Sequence, residues 1–339
     1  MSHTGIFIGR FQPFHQGHLF IIEQALGQCE QLLLMVGSAN RARSAKNPFT
    51  AEERIKLIQK NLSAWDPEKA KKVTCIATDD YPYDEPGWIA AIKAAVTQHA
   101  GNNSLAVVGH DKDVSTYYLQ HFPEWKRIEF PDHKKISATQ IRTDFFAGKK
   151  PEGLPGITEV SARFLKAFAA TALFKILREE HDFITRYKAS WANTPYPPIF
   201  VTTDSVVICD GHILLIKRGQ NPGKGLWSLP GGFVENNEWV IQGLIRELQE
   251  ETSLELEQPA LLDALQRLQT FDRPDRSQIG RVITHAALFV LPGNRPKVKA
   301  NDDAADAKWL PLKKFGDMTR LMHDDHYFIV QELAQEMLA

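Results

Sequence analysis

Short apolar segments alternate with longer amphipathic segments through the first half of the chain, and this alternation restricts the fold more than any other feature. The apolar segments lie at residues 5–8, 32–37, 73–77 and 105–109. Between them, at about 17–29, 51–62 and 87–99, apolar residues recur with helical spacing. Strands that alternate with helices predict βαβ units and an α/β fold with a doubly wound parallel sheet. Because ligands bind beyond the carboxyl ends of such strands, Gly9, Gly37 and Gly109 mark the expected site.

The second half of the chain has a different pattern. Residues 158–192 are amphipathic and helical in character, and the segment Asn-Thr-Pro-Tyr-Pro-Pro at 193–198 interrupts them, because proline fixes φ and lacks an N–H. Close β segments follow at 199–201, 205–209 and 212–217, then a helix near 238–252 and strands near 261–270 and 281–291. Asp210-Gly211 is a hairpin signal. We expect an α/β domain over 1–180, a linker over 181–198 and an α+β domain over 199–339.

Composition excludes several classes of protein. The 339 residues include 40 Lys and Arg against 41 Asp and Glu, a net charge of −1, so a nucleic-acid binder is not indicated. Cys29, Cys75 and Cys209 lie far apart, which argues against a disulfide scaffold and a thiolate zinc site and suits a reducing compartment. Neither a signal peptide nor a membrane span is apparent. We expect a cytoplasmic protein that binds neither nucleic acid nor membrane; its oligomeric state is left open.

The first predicted strand runs directly into the segment GRFQPFHQGH, residues 9–18. A helix that begins there presents free backbone N–H groups, and its N-terminus favours anions. His15 and His18 are three residues apart and so share a helical face, from which both rings can donate hydrogen bonds to phosphate oxygens. Gly17 allows a close approach of the backbone. This segment therefore predicts a phosphate-binding turn, with ordinary surface or core histidines as the alternative.

A second segment, ISATQIR at residues 136–142, places two hydroxyl groups and an arginine where another helix begins. Ser137 or Thr139 can cap that helix, and Arg142 can bind an anion. A simple helix cap is the alternative when this motif stands alone. Together the two motifs favour an anion site, and Arg41, Arg43 and Lys46 add a stretch, 38–46, without any acidic residue.

GRFQPFHQGH resembles the HxGH signature of nucleotidyltransferases with a Rossmann-like fold, and ISATQIR resembles their ISxTxxR motif. Over about residues 1–170 the chain is similar to archaeal-type nicotinamide mononucleotide (NMN) adenylyltransferases, which implies that AMP is transferred from ATP to NMN, giving NAD and pyrophosphate, with Mg²⁺. The resemblance implies catalytic roles for His15, His18 and Arg142. It implies substrate contacts for Gly9, Arg10, Phe11, Gln12, Trp88, Gly109, Asp111, Ser137 and Thr139. For Trp88 the alternative is packing in the core. For Asp111 the alternative is a solvated charge on a loop.

Glu247, Glu250 and Glu251 lie at positions i, i+3 and i+4 of the long predicted helix and therefore share one face. Carboxylates so close repel one another unless a cation compensates, and oxygen ligands suit Mg²⁺ or Mn²⁺. A solvated acidic surface is the alternative. Residues 232–254 contain five glutamates and one arginine, so this stretch is strongly acidic within a nearly neutral chain.

Residues 232–254 match the Nudix box, Gx5Ex7REUxEExGU, except that Ser253 replaces its late glycine; serine adds strain if that position requires a positive φ. This resemblance covers about 196–339 and implies metal-dependent hydrolysis of a nucleoside diphosphate derivative. It implies Glu247, Glu250 and Glu251 as metal ligands, Glu250 or Glu251 as the catalytic base, and Arg246 as the residue that orients them. Segments 271–276 and 302–312 are similar to tracts of ADP-ribose-directed Nudix proteins.

Both motif sets in one chain resemble the bifunctional NMN adenylyltransferase/Nudix hydrolases. We therefore expect an enzyme of NAD metabolism that makes NAD in its first domain and cleaves ADP-ribose to AMP and ribose 5-phosphate in its second. Its expected small-molecule partners are ATP, NMN, NAD and ADP-ribose, and its cofactor is Mg²⁺ or Mn²⁺. Two alternatives remain: the second domain binds ADP-ribose as a sensor without cleaving it, or the first uses another phosphate acceptor, such as phosphopantetheine.

Overall fold

The computed structural model describes residues 3–101, 103–109, 120–131 and 136–338. The chain divides into two compact units, Met1–Arg178 (unit 1) and Glu179–Ala339 (unit 2). Asp111, expected near the adenosine of a nucleotide, lies outside the described residues. No helix in the described part of the chain is long and apolar enough to cross a membrane.

Unit 1 is built on a five-stranded parallel sheet with strand order β3-β2-β1-β4-β5. Its elements are β1 His3–Gly9, α1 Gln16–Leu26, β2 Gln31–Val36, α2 Ala51–Trp65, α3 Pro67–Ala70, β3 Val73–Ala77, α4 Glu85–Ala100, β4 Ser104–Gly109, β5 Lys126–Glu129, α5 Ala138–Phe146, α6 Glu159–Ala169 and the first part of α7 Ala172–Ser190. This confirms the expected α/β fold with a parallel sheet.

Two cores lie on opposite faces of this sheet because side chains alternate along each strand. Phe7 and Leu34 pack on one face with α1 and α2 residues. Ile8 and Met35 pack on the other with α4 residues such as Val96. Both faces are therefore covered, and the carboxyl ends of the strands are left to form the site.

Unit 2 contains a six-stranded mixed sheet in which β6 and β10 are parallel and the other pairs are antiparallel. Its elements are β6 Ile199–Cys209, β7 His212–Arg218, β8 Trp227–Ser228, α8 Val240–Thr252, α9 Gln258–Asp263, β9 Leu265–Phe271, β10 Arg281–Leu291, β11 Ala304–Pro311, α10 His326–Leu333 and α11 Gln335–Leu338. Leu244 and Leu248 of α8 are fully buried against the sheet. The expected α+β organisation is confirmed.

Several predicted element boundaries differ from the structure. The segments 199–201 and 205–209 form one strand, β6, because the intervening Thr203 and Asp204 are buried and bonded rather than solvated. The strand predicted over 261–270 begins with helix α9. The expected linker starts inside α7, which is helical to Ser190. The Asp210-Gly211 hairpin is confirmed, with both residues at positive φ.

Candidate active sites

The N-terminus of α1 carries both histidines of the first motif. His15 is the N-cap residue, and its Nδ1 accepts a hydrogen bond from the Gly17 N–H at 3.1 Å. Nδ1 of His18 accepts from the His15 N–H at 3.3 Å. Since each Nδ1 is an acceptor, the neutral ring carries its proton on Nε2, which is a donor suited to a phosphate oxygen. The two side chains therefore lie together at an anion-favouring helix end, as the spacing predicts.

Gly17 and Gly9 are glycines because neighbouring rings occupy the space of a side chain. A Cβ at Gly17 would lie 3.0 Å from Cε1 of His15, and a Cβ at Gly9 would lie 3.1 Å from the Phe11 ring. Phe11 itself is 2% exposed and its ring lies 4.8 Å from that of His18. Phe11 thus supports His18 from the core, and we find no open surface on it for a substrate.

Arg142 of α5 is a buried cation at this turn. It is 7% exposed, and it donates to the Gln12 carbonyl at 2.7 Å and to Thr139 Oγ1 at 3.2 Å. No carboxylate of the described residues pairs with it. Burial, followed by the positive charge of Arg10, lowers the pKa of Arg142 to about 9, so the group is still charged at neutral pH. A buried cation without a carboxylate partner among the described residues, close to the positive charge of Arg10, favours binding of a polyanion.

The remaining predicted contacts of unit 1 differ in exposure. Ser137 and Thr139 are exposed, and Ser137 caps α5 by accepting from the Gln140 N–H at 3.5 Å. Gly109 ends β4, and its carbonyl accepts from the Phe130 N–H. Trp88 is half-buried, and its ring lies 5.9 Å from that of Phe122 in the core. The packing interpretation of Trp88 therefore holds for part of its surface, and stacking on a base stays a prediction.

The side-chain amide of Gln12 is hydrogen-bonded to the backbone of Phe49. Its amide nitrogen donates to the Phe49 carbonyl at 2.9 Å, and its amide oxygen accepts from the Phe49 N–H at 3.1 Å. With 1% of its surface exposed, Gln12 ties the phosphate turn to the segment before α2. This geometry gives its side chain a supporting position rather than a surface for the substrate.

The stretch 38–46 is not the unneutralised cationic loop that its sequence suggests. Arg41 pairs with Asp80 at 2.9 Å and Arg43 pairs with Glu53 at 2.8 Å. Asp80 is 39 positions from Arg41 and Glu53 is 10 positions from Arg43, so carboxylates outside the stretch neutralise these two arginines. A contact between the stretch and nucleotide phosphates stays a prediction. Asp80 also accepts from the backbone N–H and hydroxyl of Ser38, so it joins the exits of β2 and β3, a role that no local motif indicated.

In unit 2, Arg246 of α8 holds three glutamates. It binds both carboxylate oxygens of Glu238, at 2.9 Å from Nε and 2.7 Å from Nη2. Its Nη1 donates to Glu247 at 2.8 Å and to Glu250 at 2.9 Å. Hydrogen bonding to Glu238 is the largest cause that raises the pKa of Arg246. The guanidinium therefore fixes the carboxylates by a bidentate contact and two single ones.

Glycines make room for this cluster. A Cβ at Gly232 would lie 2.5 Å from a carboxylate oxygen of Glu247, and a Cβ at Gly231 would collide with the Thr203 carbonyl. The Gly231 N–H instead donates to Glu251 at 2.8 Å. The paired glycines before the helix thus let the backbone lie directly against two of the predicted ligands.

Glu251 is a buried carboxylate, 5% exposed. Its pKa is raised to about 8, mainly by burial and also by the charges of Glu247 and Asp204, while the Gly231 N–H and the charge of Arg218 oppose the shift. Burial also raises the pKa of Glu247. Crowded, desolvated oxygen donors of this kind are stabilised by a divalent cation. The chemistry of these carboxylates suits Mg²⁺ or Mn²⁺. Their arrangement in this structure does not form a metal site, because the described residues contain no group of three or more His, Cys, Asp or Glu side chains placed to hold an ion, and Glu247 and Glu250 are bonded to Arg246.

Unit 2 also contains a buried ion pair that the sequence does not predict. Arg276 makes two hydrogen bonds of 2.9 Å to Asp325, which is 1% exposed. The same guanidinium lies 3.8 Å from Asp204, which also accepts from the Thr284 hydroxyl at 2.6 Å. Arg276 belongs to the tract 271–276, but nothing in the sequence marks Asp325 as its partner.

Two family models match the chain. Residues 6–144 match the Cytidylyltransferase-like family, and residues 200–332 match the NUDIX domain. The chain is 38% identical over 178 residues to a nicotinamide/nicotinic acid mononucleotide adenylyltransferase from Acinetobacter baylyi, covering 52% of this chain and 92% of the relative. It is 40% identical over 112 residues to an ADP-ribose pyrophosphatase from Methanocaldococcus jannaschii, covering 33% of this chain and 62% of that protein.

The similarity to one solved protein extends over both units. A bifunctional NMN adenylyltransferase/ADP ribose pyrophosphatase from Francisella tularensis superposes with a TM-score of 0.93 at 38% identity, covering 99% of this chain and 100% of the other. A second solved structure, of a bifunctional NMN adenylyltransferase/ADP ribose pyrophosphatase from Francisella tularensis complexed with AMP and a manganese ion, has a TM-score of 0.91 at 37% identity, covering 99% of this chain and 100% of the other.

Proposed function

The chain belongs to the family of bifunctional NMN adenylyltransferase/ADP-ribose pyrophosphatases, and on that basis we propose that it carries out both reactions. Unit 1 transfers AMP from ATP to NMN, giving NAD and pyrophosphate. Unit 2 hydrolyses ADP-ribose to AMP and ribose 5-phosphate. The observation that carries the first activity is the buried cation Arg142, which pairs with no carboxylate of the described residues and which binds Gln12 in the turn that also carries the histidine pair. For the second it is the glutamate cluster held by Arg246.

In unit 1 the phosphate of NMN attacks the α-phosphorus of ATP directly, and pyrophosphate leaves, so no protein nucleophile is required. The site has to align two anions and offset the charge that develops during transfer. We assign the α-phosphate to Nε2 of His18, with His15 beside it, and the β- and γ-phosphates to Arg142, Ser137 and Thr139. Arg10 is exposed and contacts the nucleotide phosphates. Trp88 and Gly109 line the remaining subsites for the two nucleosides.

In unit 2 the carboxylates of Glu247, Glu250 and Glu251 would hold the divalent ion, Mg²⁺ or Mn²⁺. When bound, the ion supplies positive charge to the pyrophosphate of ADP-ribose. Either Glu250 or Glu251 takes the proton of the attacking water, and Arg246 holds the ligands in register. The Gly231 N–H, at 2.8 Å, keeps one Glu251 oxygen in place.

The test is a substrate assay on the wild-type chain with each reaction measured separately. We expect NAD and pyrophosphate from NMN with ATP, and AMP with ribose 5-phosphate from ADP-ribose when Mg²⁺ or Mn²⁺ is added. Preferential use of phosphopantetheine over NMN would overturn the assignment of unit 1. Binding of ADP-ribose without release of AMP would make unit 2 a sensor.

We place the enzyme in the cytoplasm. All three cysteines, Cys29, Cys75 and Cys209, are free thiols, and burial raises the pKa of Cys75 to about 12. Free thiols are characteristic of reducing compartments, where ATP and NMN are also available to unit 1.

A further inference from the structure

Arg54 is among the largest fully buried side chains of the molecule, with 1% of its surface exposed. It lies near the start of α2, four residues after the N-cap Thr50. A guanidinium group carries five N–H donors and a full charge, so its burial is tolerated only where those donors find acceptors. The groups that accept its hydrogen bonds therefore indicate what Arg54 does.

Four backbone carbonyls accept hydrogen bonds from Arg54. Nη1 donates to Arg10 at 2.7 Å and to Gly37 at 2.6 Å. Nη2 donates to Ser38 at 3.2 Å, and Nε donates to Thr50 at 3.2 Å. Arg10 follows the end of β1, and Gly37 and Ser38 follow the end of β2. One side chain thus joins the exits of two neighbouring strands at the edge of the sheet where the phosphate turn lies.

Both exits contain a residue in the left-handed region of backbone conformation. Phe11 has φ of 51° and Ser38 has φ of 56°. Residues other than glycine rarely occupy this region, and they remain there only where surrounding contacts hold them. Arg54 binds the carbonyl of Ser38 and the carbonyl of Arg10, the residue before Phe11. It therefore holds both strained segments at the required position.

The segment of residues 10–12 is held at each end by a buried arginine. Arg54 binds the carbonyl of Arg10, and Arg142 binds the carbonyl of Gln12 at 2.7 Å. Carbonyl oxygens carry partial negative charge, which would repel a polyphosphate bound nearby. The charge of Arg54 offsets that of the three carbonyls it binds at the strand exits, in a region of low dielectric where such interactions are strong.

We propose that Arg54 is a positioning residue of the nucleotide site in unit 1. It fixes the backbone of Arg10 and Ser38 so that the phosphate turn keeps its shape, and it offsets the charge of carbonyls beside the bound phosphates. This inference rests on the proposed function for its effect on NAD synthesis. Its effect on ATP binding does not depend on which phosphate acceptor the enzyme uses.

The test compares Arg54→Met and Arg54→Lys with the matched control Asn61→Ala. Asn61 is on the same helix, is 4% exposed, and donates to Leu57 at 2.8 Å and Ser161 at 3.1 Å, away from the two strand exits. For each protein, calorimetry gives ATP affinity in the absence of an acceptor, and steady-state assays give kcat and KM for NAD synthesis. Circular dichroism shows that the protein is folded, and ADP-ribose hydrolysis by the same chain reports on unit 2.

We expect Arg54→Met to weaken ATP binding by about tenfold and to lower kcat by about 100-fold, because small displacements of catalytic groups have effects of this size. Arg54→Lys keeps the positive charge but lacks the planar guanidinium group. Its ATP affinity and kcat should therefore lie between those of Arg54→Met and wild type. Asn61→Ala should lower the Tm but leave ATP affinity and kcat within about twofold of wild type, as expected for a structural site distant from the phosphates. Hydrolysis should be unchanged throughout.

The proposal is overturned if the Arg54 variants match Asn61→Ala in ATP affinity and kcat while folded. If Arg54→Met does not fold, Arg54→Lys decides the result. A wild-type chain that binds ATP but makes no NAD from NMN would refute the proposed function of unit 1, and the ATP affinities would still decide the role of Arg54.

Discussion

The imidazole rings of His15 and His18 stack with their centroids 3.6 Å apart and their planes 21° from parallel. Backbone N–H groups bind Nδ1 of both rings, so the same tautomer is selected twice within one helical turn. Two Nε2 donors at the start of α1 form a compact pair that a single residue could not replace, since each ring restrains the other.

Replacement of His18 by alanine should reduce NAD synthesis by about 100-fold or more, the scale observed when one donor to a transition state is removed. ADP-ribose hydrolysis should be unaffected because it takes place in unit 2. The measurement is NAD formation from NMN and ATP at saturating concentrations. His99→Ala, at an exposed position of α4, serves as the control and should retain full activity. Comparable losses in both variants would contradict a specific role for His18.

Glu251→Gln should reduce ADP-ribose hydrolysis and leave NAD synthesis intact. The amide still accepts from the Gly231 N–H, but it can neither bind the cation as a carboxylate does nor take a proton, so hydrolysis should fall by about 100-fold or more. NAD synthesis should stay at the wild-type level. AMP release from ADP-ribose is the measurement, and Glu255→Gln, at an exposed position beyond α8, is the matched control. Retained hydrolysis in Glu251→Gln would remove Glu251 from the site.

Metal removal should make the stability of the enzyme depend on pH. Glu251 has a pKa of about 8 when folded, against an ordinary value of 4.5. Its ionisation therefore opposes folding: the stability present below pH 4.5 is lost as the pH rises through 8. In EDTA, the Tm of wild type should fall over this interval more steeply than that of Glu251→Gln. Added Mg²⁺ should restore the lost Tm in wild type only. Parallel curves of Tm against pH for the two proteins would refute this account.

Arg276→Met should destabilise unit 2 by about 3–5 kcal/mol, because it leaves buried carboxylates without their partner. Asp325 is the main one, at 2.9 Å from the guanidinium. Urea unfolding at neutral pH measures the loss. Lys71→Ala breaks an ion pair whose side chains are 70% and 80% exposed, and it should cost less than about 1 kcal/mol. Similar losses in the free energy of unfolding for the two variants would show that burial does not determine how much an ion pair contributes to stability.

Ser253→Gly should stabilise unit 2 by about 0.5–1 kcal/mol, since glycine adopts the left-handed conformation without a Cβ penalty. Ser253 has φ of 49° at the C-terminus of α8, so the strain expected at this departure from the Nudix box is present. Thermal unfolding measures the gain, and ADP-ribose hydrolysis should be unchanged. Ser253→Ala retains a Cβ and should not stabilise unit 2. An equal increase in stability in Ser253→Ala would show that relief of the Cβ strain is not the cause.

The strands of the first sheet follow from the sequence where apolar runs are long. Predicted and observed ends of β1 to β4 agree to within about two residues, the usual uncertainty of such boundaries. β5 was not predicted because its four residues, Lys126–Glu129, contain one apolar side chain, Ile128. β11 was missed for a similar reason, since charged residues alternate through Ala304–Pro311 and only pairing with β7 identifies it.

Local spacing placed His15 beside His18 and the three glutamates on one helix, but it did not supply their partners. The bond from Arg142 to Gln12 joins residues 130 positions apart, and the bonds of Gln12 to Phe49 span 37 positions. Tertiary packing decides such contacts. The sequence does indicate that Arg54 is buried, because it interrupts the apolar face that Ala51, Leu57 and Ile58 form on α2. A charge on such a face requires buried hydrogen-bond acceptors.

The roles that we propose for Arg10 and Arg142 would give the folded state of unit 1 an affinity for nucleotide that the unfolded chain lacks. Occupancy and folding are then linked: at a nucleotide concentration about 100 times the Kd, binding adds about 2.7 kcal/mol to the free energy of unfolding. The amount of intact enzyme in a cell should therefore follow the supply of nucleotide. We expect molecules without bound ATP to unfold more often and to be degraded first by proteases.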